Sequence, residues 1–361
     1  MEGQCRWGIL GTGKIARTMA LALRESAAGH LVAVASRDPA RAREFASLFH
    51  PTRYYANYAE LIADPAVEIA YIATHHPEHR EWAIAAAEAG KHVLCEKPLA
   101  VTARTAEEII EAARRSGVFL MEAFAYRCHP QTRQLVQVLR AGEIGEVRMI
   151  DASFGYDAGQ RPGNYLLDRS LGGGSILDVG CYATSMAHLI GATASGTAPL
   201  ATQAVAGAAH IGQATGVDHY AAAVLTFPGG IVAKVASAIQ VNLDNALRVY
   251  GTGGTITVPS PWLPGRAGAP ATIVIDRPGS PPTVIRVRPS ADLYVLEVDA
   301  VNGLVRDGQT CHPLMGWDES QANMRTLDRW REAVGLHYGE DRQAEGGWLQ
   351  PARVSGRRRE P

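Results

Sequence analysis

Cysteine is sparse and unpatterned in this chain: five residues, at 5, 95, 128, 181 and 311. The number is odd, the spacing is wide and no CxxC pair occurs. That argues against a disulfide framework or a zinc knot, and for reduced thiols in a cytoplasmic protein. Long hydrophobic runs are missing, and none approaches the ~20 residues of a membrane span. No secretory signal is expected, because charged and polar residues precede the first apolar run and that run is needed as a strand. Charge of one sign is not in excess either. The formal net charge is −1, so no overall basic field recruits nucleic acid or an anionic membrane. The local exception, Arg357-Arg358-Arg359, reads as a solvated tail. No internal repeat is present. What remains is a globular composition, 47% hydrophobic and 20% charged, in 361 residues, a length suited to two domains.

The first third alternates strand and helix. Residues 6–10 read as a short buried strand that runs into Gly11-Thr12-Gly13-Lys14-Ile15-Ala16 and then a helix through 23. Further strands fit 31–35, 69–73, 91–95 and 118–121. Helices fit 39–49, 58–62, 81–89 and 105–115, with Pro39 at one start and Gly90 and Gly117 at two ends. This alternation predicts an α/β unit, a doubly wound parallel sheet of the Rossmann kind, over residues 1–125. The grammar then changes. A helix fits 131–140 and another about 175–190, while strands fit 147–154, 202–211, 219–227, 231–240, 247–251 and 255–259. Helices return at 293–306 and 319–332. Residues 126–335 are therefore expected to form an α+β domain with a large open, mostly antiparallel sheet. Residues 336–361 lack periodicity and read as a loose arm.

The glycine turn sits between a strand and a helix, the context that makes Gly-x-Gly-x-x-Ala a dinucleotide signal. Gly11 permits the tight turn, Gly13 lets backbone N–H groups approach a pyrophosphate, and Ala16 lets helix and strand pack closely. Thr12, Lys14 and Ile15 share that loop. The next strand ends in Ser36-Arg37, with Arg41 one turn on. A hydroxyl and guanidinium groups suit a 2′-phosphate, so NADP(H) is the expected cofactor, with NAD(H) as the alternative. Asp38 better fits a helix cap before Pro39. Thr74 and His75, at the end of a parallel strand, are further expected cofactor contacts, together with His79, Glu96 and Lys97. The spacing of His75, His76 and His79 is tempting for a metal, but no Cys or carboxylate partner is obvious and no metal site is expected.

Lys97 directly follows a buried strand and precedes Pro98. Such a lysine is poorly explained as packing and well explained as an acid/base or orienting group beside a cofactor. The second constellation is Gly172-Gly173-Gly174-Ser175-Ile176-Leu177-Asp178-Val179-Gly180-Cys181-Tyr182. On a helix, Asp178 and Tyr182 are i and i+4 and share a face. Flexible glycines at the entry would let a substrate or cofactor come close. A phenol with an ordinary pKa of ~10 needs a nearby cation to act near neutrality, and Lys97 can be that cation. Without Lys97, the same segment reads equally well as a helix with one buried Tyr and a dipole-favoured Asp. Tyr126 and Arg127 are candidates to line the cleft, or else a packed aromatic and an ion pair. Tyr165 is a candidate for the substrate pocket.

Together GTGKIA (11–16), ATHHPEH (73–79), AGKHVLCEKPLA (89–100), MEAFAYRCHP (121–130) and LGGGSILDVGCY (171–182) resemble the glucose–fructose oxidoreductase / inositol dehydrogenase / MocA family. The resemblance covers about residues 5–335 and is nearest the branch with dimeric dihydrodiol dehydrogenase and NADP-dependent xylose dehydrogenase. It implies an oxidoreductase acting on CH–OH groups of a sugar, polyol or related cyclic diol. It implies a catalytic or substrate-orienting Lys97, often before a cis peptide. It also implies that Tyr182 is the acid/base and Asp178 its partner; inositol dehydrogenases carry His at the Tyr182 position. Dimers or tetramers through the open sheet follow from the same resemblance. So do two rivals: a dinucleotide-binding sensor without turnover, and an enzyme that keeps its cofactor while coupling two sugars. Some relatives carry an export signal; none is read here.

Overall fold

The computed structural model describes residues 4–159, 163–268 and 270–341, so the Arg357–Arg359 run lies outside the described residues. The first sheet is parallel throughout, with order β3-β2-β1-β4-β5-β6. Its strands are β1 (Cys5–Leu10), β2 (Gly29–Ala35), β3 (Arg53–Tyr55), β4 (Ile69–Ile72), β5 (His92–Cys95) and β6 (Leu120–Glu122). The helices between them are α1 (Lys14–Glu25), α2 (Pro39–Phe49), α3 (Tyr58–Ala63), α4 (His79–Glu88) and α5 (Ala103–Ser116). β1 pairs with β2 on one side and β4 on the other, so the winding reverses between β1 and β4. In such a sheet the crevice at the carboxyl ends of the strands, at that reversal, is where ligands bind. All four residues of β4 are buried, as are Val93, Leu94 and Cys95 on β5. Continuous apolar strands of this kind are what a sheet covered on both faces requires. Asp38 caps α2, accepting from the Ala40 and Arg41 amides.

Among the described residues the second sheet has eight strands, in order β14-β13-β12-β11-β7-β10-β9-β8. They follow α6 (Pro130–Arg140): β7 (Val147–Gly155), then, after α7 (Cys181–Ser195), β8 (Ala204–Ile211), β9 (Asp218–Thr226), β10 (Val232–Ala238), β11 (Leu247–Gly251), β12 (Gly254–Val258), β13 (Ala271–Asp276) and β14 (Thr283–Val287). Only β7 and β10 pair in parallel; the other neighbours are antiparallel. α7 packs on β7 and β10, and α9 (Trp317–Ala333) on α7 and β8. α8 (Leu293–Arg306) returns to the first sheet and packs on α1 and β2. There Asn302 accepts from the Trp7 indole at 2.8 Å.

The sheet architecture agrees with the α/β reading, and three strands were not anticipated: β3, β13 and β14. The expected loose arm begins differently. Leu336 and Tyr338 are buried, and Asp341 pairs with the buried Arg331 of α9. All five thiols are unpaired. No helix among the described residues is long and apolar enough to cross a membrane.

Candidate active site

The glycine turn has the form its sequence predicts. Gly11 has φ of +112°, and a Cβ there would lie 2.5 Å from the Ala73 carbonyl, so the β1–β4 approach admits no side chain. Gly13 is the reverse case: among the described residues no atom lies within 4 Å of its Cβ position, and it is exposed. It starts α1 with no side-chain cap, leaving the first-turn N–H groups open, and no acidic residue stands in that turn. Ala16 is fully buried against the sheet. Thr12 and Ile15 are half-buried and Lys14 is exposed. An open cradle of uncapped amides at a helix N-terminus fits a dinucleotide pyrophosphate. At the end of β4, Thr74 Oγ1 is buried with no partner among the described residues, a second feature that a bound polar ligand would satisfy.

At the end of β2, Ser36 is buried and its hydroxyl accepts from the Asp38 amide. Arg37 projects into solvent and pairs with Glu78, while Arg41 lies 3.7 Å from Asp38. His75 packs its ring 5.4 Å from that of Tyr165. His79 departs from expectation. It is fully buried, its ring nitrogens 3.0 and 3.3 Å from the Pro98 and Thr74 carbonyls, and burial drives its pKa down to about 4. It braces the two loops rather than facing the crevice. His76 is likewise turned inward, onto the Gly172 carbonyl at 2.9 Å. Among the described residues, no group of three His, Cys, Asp or Glu could hold a metal ion.

Lys97 leaves β5 ahead of a cis peptide to Pro98. Its Nζ lies 2.7 Å from the carbonyl of Asp178 and 3.2 Å from its Oδ1, and 5.1 Å from the centre of the Tyr182 ring. Tyr156 donates to the other carboxylate oxygen of Asp178 at 2.7 Å. The site is thus a linked set: Tyr156, Asp178, Lys97 and Tyr182. Burial, the largest single influence, would push Lys97 down, but the Asp178 charge, with the acidic groups of Tyr182, Cys181 and Tyr165 adding to it, outweighs burial and holds the ammonium well above its ordinary range. Asp178 is affected in mirror image: burial would raise it, and Lys97 together with the Tyr156 hydrogen bond brings it below the usual value. Glu96 is directed away from the crevice, toward Tyr71 Oη and, at 3.3 Å, the Lys97 amide. It supports Lys97 from behind.

Three expectations about this segment need correction. Residues Ile176–Gly180 form a wide π-helical turn before α7, not α-helix, so the i,i+4 spacing does not by itself stack Asp178 over Tyr182. Lys97 brings them together instead. The three glycines are not flexible entry points. A Cβ at Gly172, Gly173 or Gly174 would meet His76 at 3.0 Å, the Leu166 carbonyl at 2.5 Å or Asp218 at 2.2 Å, so protein atoms already fill that space. And Lys97 does not bring Tyr182 below its ordinary value. Burial dominates and pushes the phenol well up; the lysine opposes it only in part.

Tyr126 and Arg127 also belong elsewhere. Both are fully buried, with Tyr126 Oη on Ser185 Oγ at 2.9 Å and the guanidinium on the Ser185 and Leu314 carbonyls at 2.7 and 2.6 Å. They anchor α7 and do not line the cleft. Tyr126 does back the Tyr182 ring, at 5.9 Å, along with Phe124 at 5.1 Å, Phe154 at 5.2 Å and Trp262 at 6.0 Å. Edge-on aromatic packing of this kind fixes a ring without covering its hydroxyl. Tyr182 is half-buried and its hydroxyl makes no hydrogen bond among the described residues. Tyr165 is 38% exposed, and the nearby Asp178 charge adds to burial in raising its phenol. Tyr156, Phe154 and Trp262 escaped the sequence reading. The available signal was weak: two aromatics at the end of a strand whose exit faces the loop that bears Asp178.

Comparison with known proteins gives a consistent result. The description "Oxidoreductase family, NAD-binding Rossmann fold" matches residues 5–124, and "GFO/IDH/MocA C-terminal domain" matches residues 132–257. The chain is 36% identical to trans-1,2-dihydrobenzene-1,2-diol dehydrogenase of Mus musculus over 94% of its own length and 99% of that protein's. Among solved structures it is similar to KijD10, a 3-ketoreductase of Actinomadura kijaniata in complex with NADP and TDP-benzene. The TM-score is 0.82 at 27% identity, covering 92% of this chain and 98% of the other. An aldose–aldose oxidoreductase of Caulobacter crescentus, complexed with glycerol, aligns with TM-score 0.79 at 26% identity over the same shares.

Proposed function

The chain belongs to the GFO/IDH/MocA family of oxidoreductases, and from that premise we propose that it moves a hydride between NADP(H) and a secondary alcohol or ketone of a sugar, polyol or related cyclic diol. It is an oxidoreductase of CH–OH groups that uses a nicotinamide dinucleotide. The observation that carries the finer reading is the linked set at the end of β5. There an ammonium held charged by Asp178 lies beside a phenol whose hydroxyl has no protein partner among the described residues.

When bound, the dinucleotide supplies or takes up the hydride. The chain's own residues do the rest. Tyr182, kept protonated by burial, gives its proton to a carbonyl oxygen during reduction, and Lys97 stabilises the phenolate left behind. In oxidation the same pair runs backwards, with the Tyr182 phenolate as base. Asp178 holds Lys97 charged and in place, and Tyr156 holds Asp178. A positioned acid/base group of this kind contributes roughly 10²–10⁴-fold.

The preference for NADP rests on Arg37 and Arg41 beyond β2, where guanidinium groups suit a 2′-phosphate. Gly11, Gly13 and the open first turn of α1 take the pyrophosphate, with Thr74 and His75 nearer the nicotinamide end. The outer face of the second sheet leaves Met149, Tyr220, Val224, Tyr250 and Val284 each 36% exposed or more, around the Lys234–Asp151 pair, and large apolar side chains exposed on a sheet face favour a homodimer or homotetramer. Five unpaired thiols agree with a cytoplasmic location. The test is titration with NADPH and NADH by fluorescence, then a panel of polyols and keto-sugars followed by nicotinamide absorbance. Tight NADPH binding with turnover on a panel member supports the reading. Binding without turnover across a broad panel overturns it in favour of a sensor or a closed cycle.

A further inference from the structure

The wide turn that carries Asp178 starts on the glycine loop, and a buried carboxylate stands behind that loop. Asp218, the first residue of β9, is fully buried. Its Oδ2 accepts from Ser175 Oγ at 2.6 Å and from the Ile176 amide at 2.7 Å. Its Oδ1 has no hydrogen-bond partner among the described residues. Ser175 Oγ also lies 2.9 Å from Ser237 Oγ on β10. From the opposite side the buried Tyr338 donates to the Gly173 carbonyl. A Cβ on Gly174 would lie 2.2 Å from Asp218 Oδ1 and 3.0 Å from Tyr338 Oη, so both side chains close on the same residue.

Tyr338 is itself held from two directions. Its amide donates to Asp341 Oδ2 at 2.6 Å, and Asp341 pairs with the buried Arg331 of α9 at 2.6 Å. Arg169 Nε, just before the glycine loop, donates to the His337 carbonyl at 2.9 Å. Capping the turn alone would need only a neutral acceptor; a buried carboxylate with one unmatched oxygen is a costly way to do it. Its location accounts for it. Ile176 precedes Asp178 by two residues, and the Asp178 amide donates to Gly174 O at 3.1 Å. Among the described residues both hydrogen bonds of Lys97 Nζ are to Asp178, one to its backbone carbonyl. Any shift of residues 173–176 is therefore passed directly to the Lys97 contacts.

We propose that Asp218 and Tyr338 are positioning residues that hold the glycine loop so that Asp178 reaches Lys97, which makes the segment at 336–341 a working part of the site. The proposal rests on the site reading given above, and its test is chosen to stand without turnover. The chain has four lysines, 14, 91, 97 and 234, so amine labelling by acetic anhydride can be resolved residue by residue in peptide maps. The reagent takes the neutral amine, so the rate at Lys97 reports how well Asp178 keeps it charged.

The variants are Asp218→Ala, Asp218→Asn and Tyr338→Phe. At a pH of about 9, Lys97 should label about tenfold faster or more in Asp218→Ala and Tyr338→Phe than in the unaltered protein, equivalent to at least about one pH unit. Asp218→Asn, which keeps an acceptor oxygen, should fall between. The buried Lys91, held by the Asp64 and Val67 carbonyls, serves as the control for opening of the fold and should not change. On a turned-over substrate, kcat should fall about 10- to 100-fold while NADPH affinity stays within about twofold. An unchanged Lys97 rate in all three variants overturns the proposal, and so does a rise at Lys97 matched by one at Lys91. If the unaltered protein turns over nothing, the functional reading fails, and the labelling still decides this one.

Discussion

Replacing Asp178 by Asn removes the charge that holds Lys97 protonated and keeps nearly the same shape. The nitrogen and oxygen are 3.2 Å apart, and the two side chains are 15% and 6% exposed. At an effective dielectric of about 20, opposite charges at that separation attract by about 5 kcal/mol. At ~1.4 kcal/mol per pH unit, losing that attraction would lower Lys97 by up to about four units. Water entering the cleft weakens the effect, but with the charge gone, burial, the largest influence on Lys97, acts with less to oppose it. The sign follows from the opposing influences: burial lowers the lysine, and the Asp178 charge is the largest of the influences that raise it. The assay is kcat/KM for carbonyl reduction from about pH 5 to pH 10, which reports groups of the free enzyme. Asp178→Asn should bring a loss of activity on the basic side into that range, where the unaltered protein shows none from Lys97. A variant with the unaltered profile up to about pH 10 would refute the electrostatic argument.

Three further outcomes are expected. Tyr156→Phe removes the donor 2.7 Å from Asp178 Oδ2; a hydrogen bond to a charged group contributes about 1.5–3 kcal/mol, so the acidic limb of kcat/KM should rise by about one to two units. Gly13→Ala should leave Tm unchanged, since φ is −69° and no atom of the described residues meets the new methyl, yet weaken NADPH binding about tenfold or more by fluorescence titration. Glu122, whose carboxyl accepts from the Leu99 amide at 2.9 Å, is raised by burial to about 7. Its folded value lies above its unfolded one, so the folded form keeps a proton that the unfolded form has lost, and stability falls as pH rises from about 4.5 to about 7. Glu122→Gln should abolish that loss, gaining up to about 3 kcal/mol relative to the unaltered protein at about pH 8 and little at about pH 4, as read from denaturant unfolding.

The parts of the site that could be read from sequence are those whose function is local. Gly11, Gly13 and Ala16 announce themselves within one strand–turn–helix, although the crowding at Gly11 comes from the Ala73 carbonyl across the sheet. Lys97 announced itself because a charged residue directly after a buried strand has few structural explanations. The errors fall where a residue's partner is distant in sequence. Tyr126 and Arg127 are buried because α7, some 58 residues later, covers them with Ser185. Tyr156 reaches Asp178 across 22 residues and Asp218 reaches Ser175 across 43, and no periodicity links such pairs. The three glycines invite an open-loop reading in isolation; their real constraint is the crowding by His76, Leu166 and Asp218. The strands β13 and β14, the outermost two at one end of the second sheet, were missed because Pro and Gly crowd their ends, although β13 alternates buried and half-buried residues from Ala271 to Ile275.

The measurement closest to the central claim compares the unaltered protein with Lys97→Ala, first by NADPH fluorescence titration and then by single-turnover absorbance at about 340 nm with a substrate from the panel. NADPH affinity should stay within about threefold while the hydride-transfer rate falls by roughly 10²-fold or more. A variant that binds NADPH and reduces substrate at the unaltered rate would contradict the role given to Lys97.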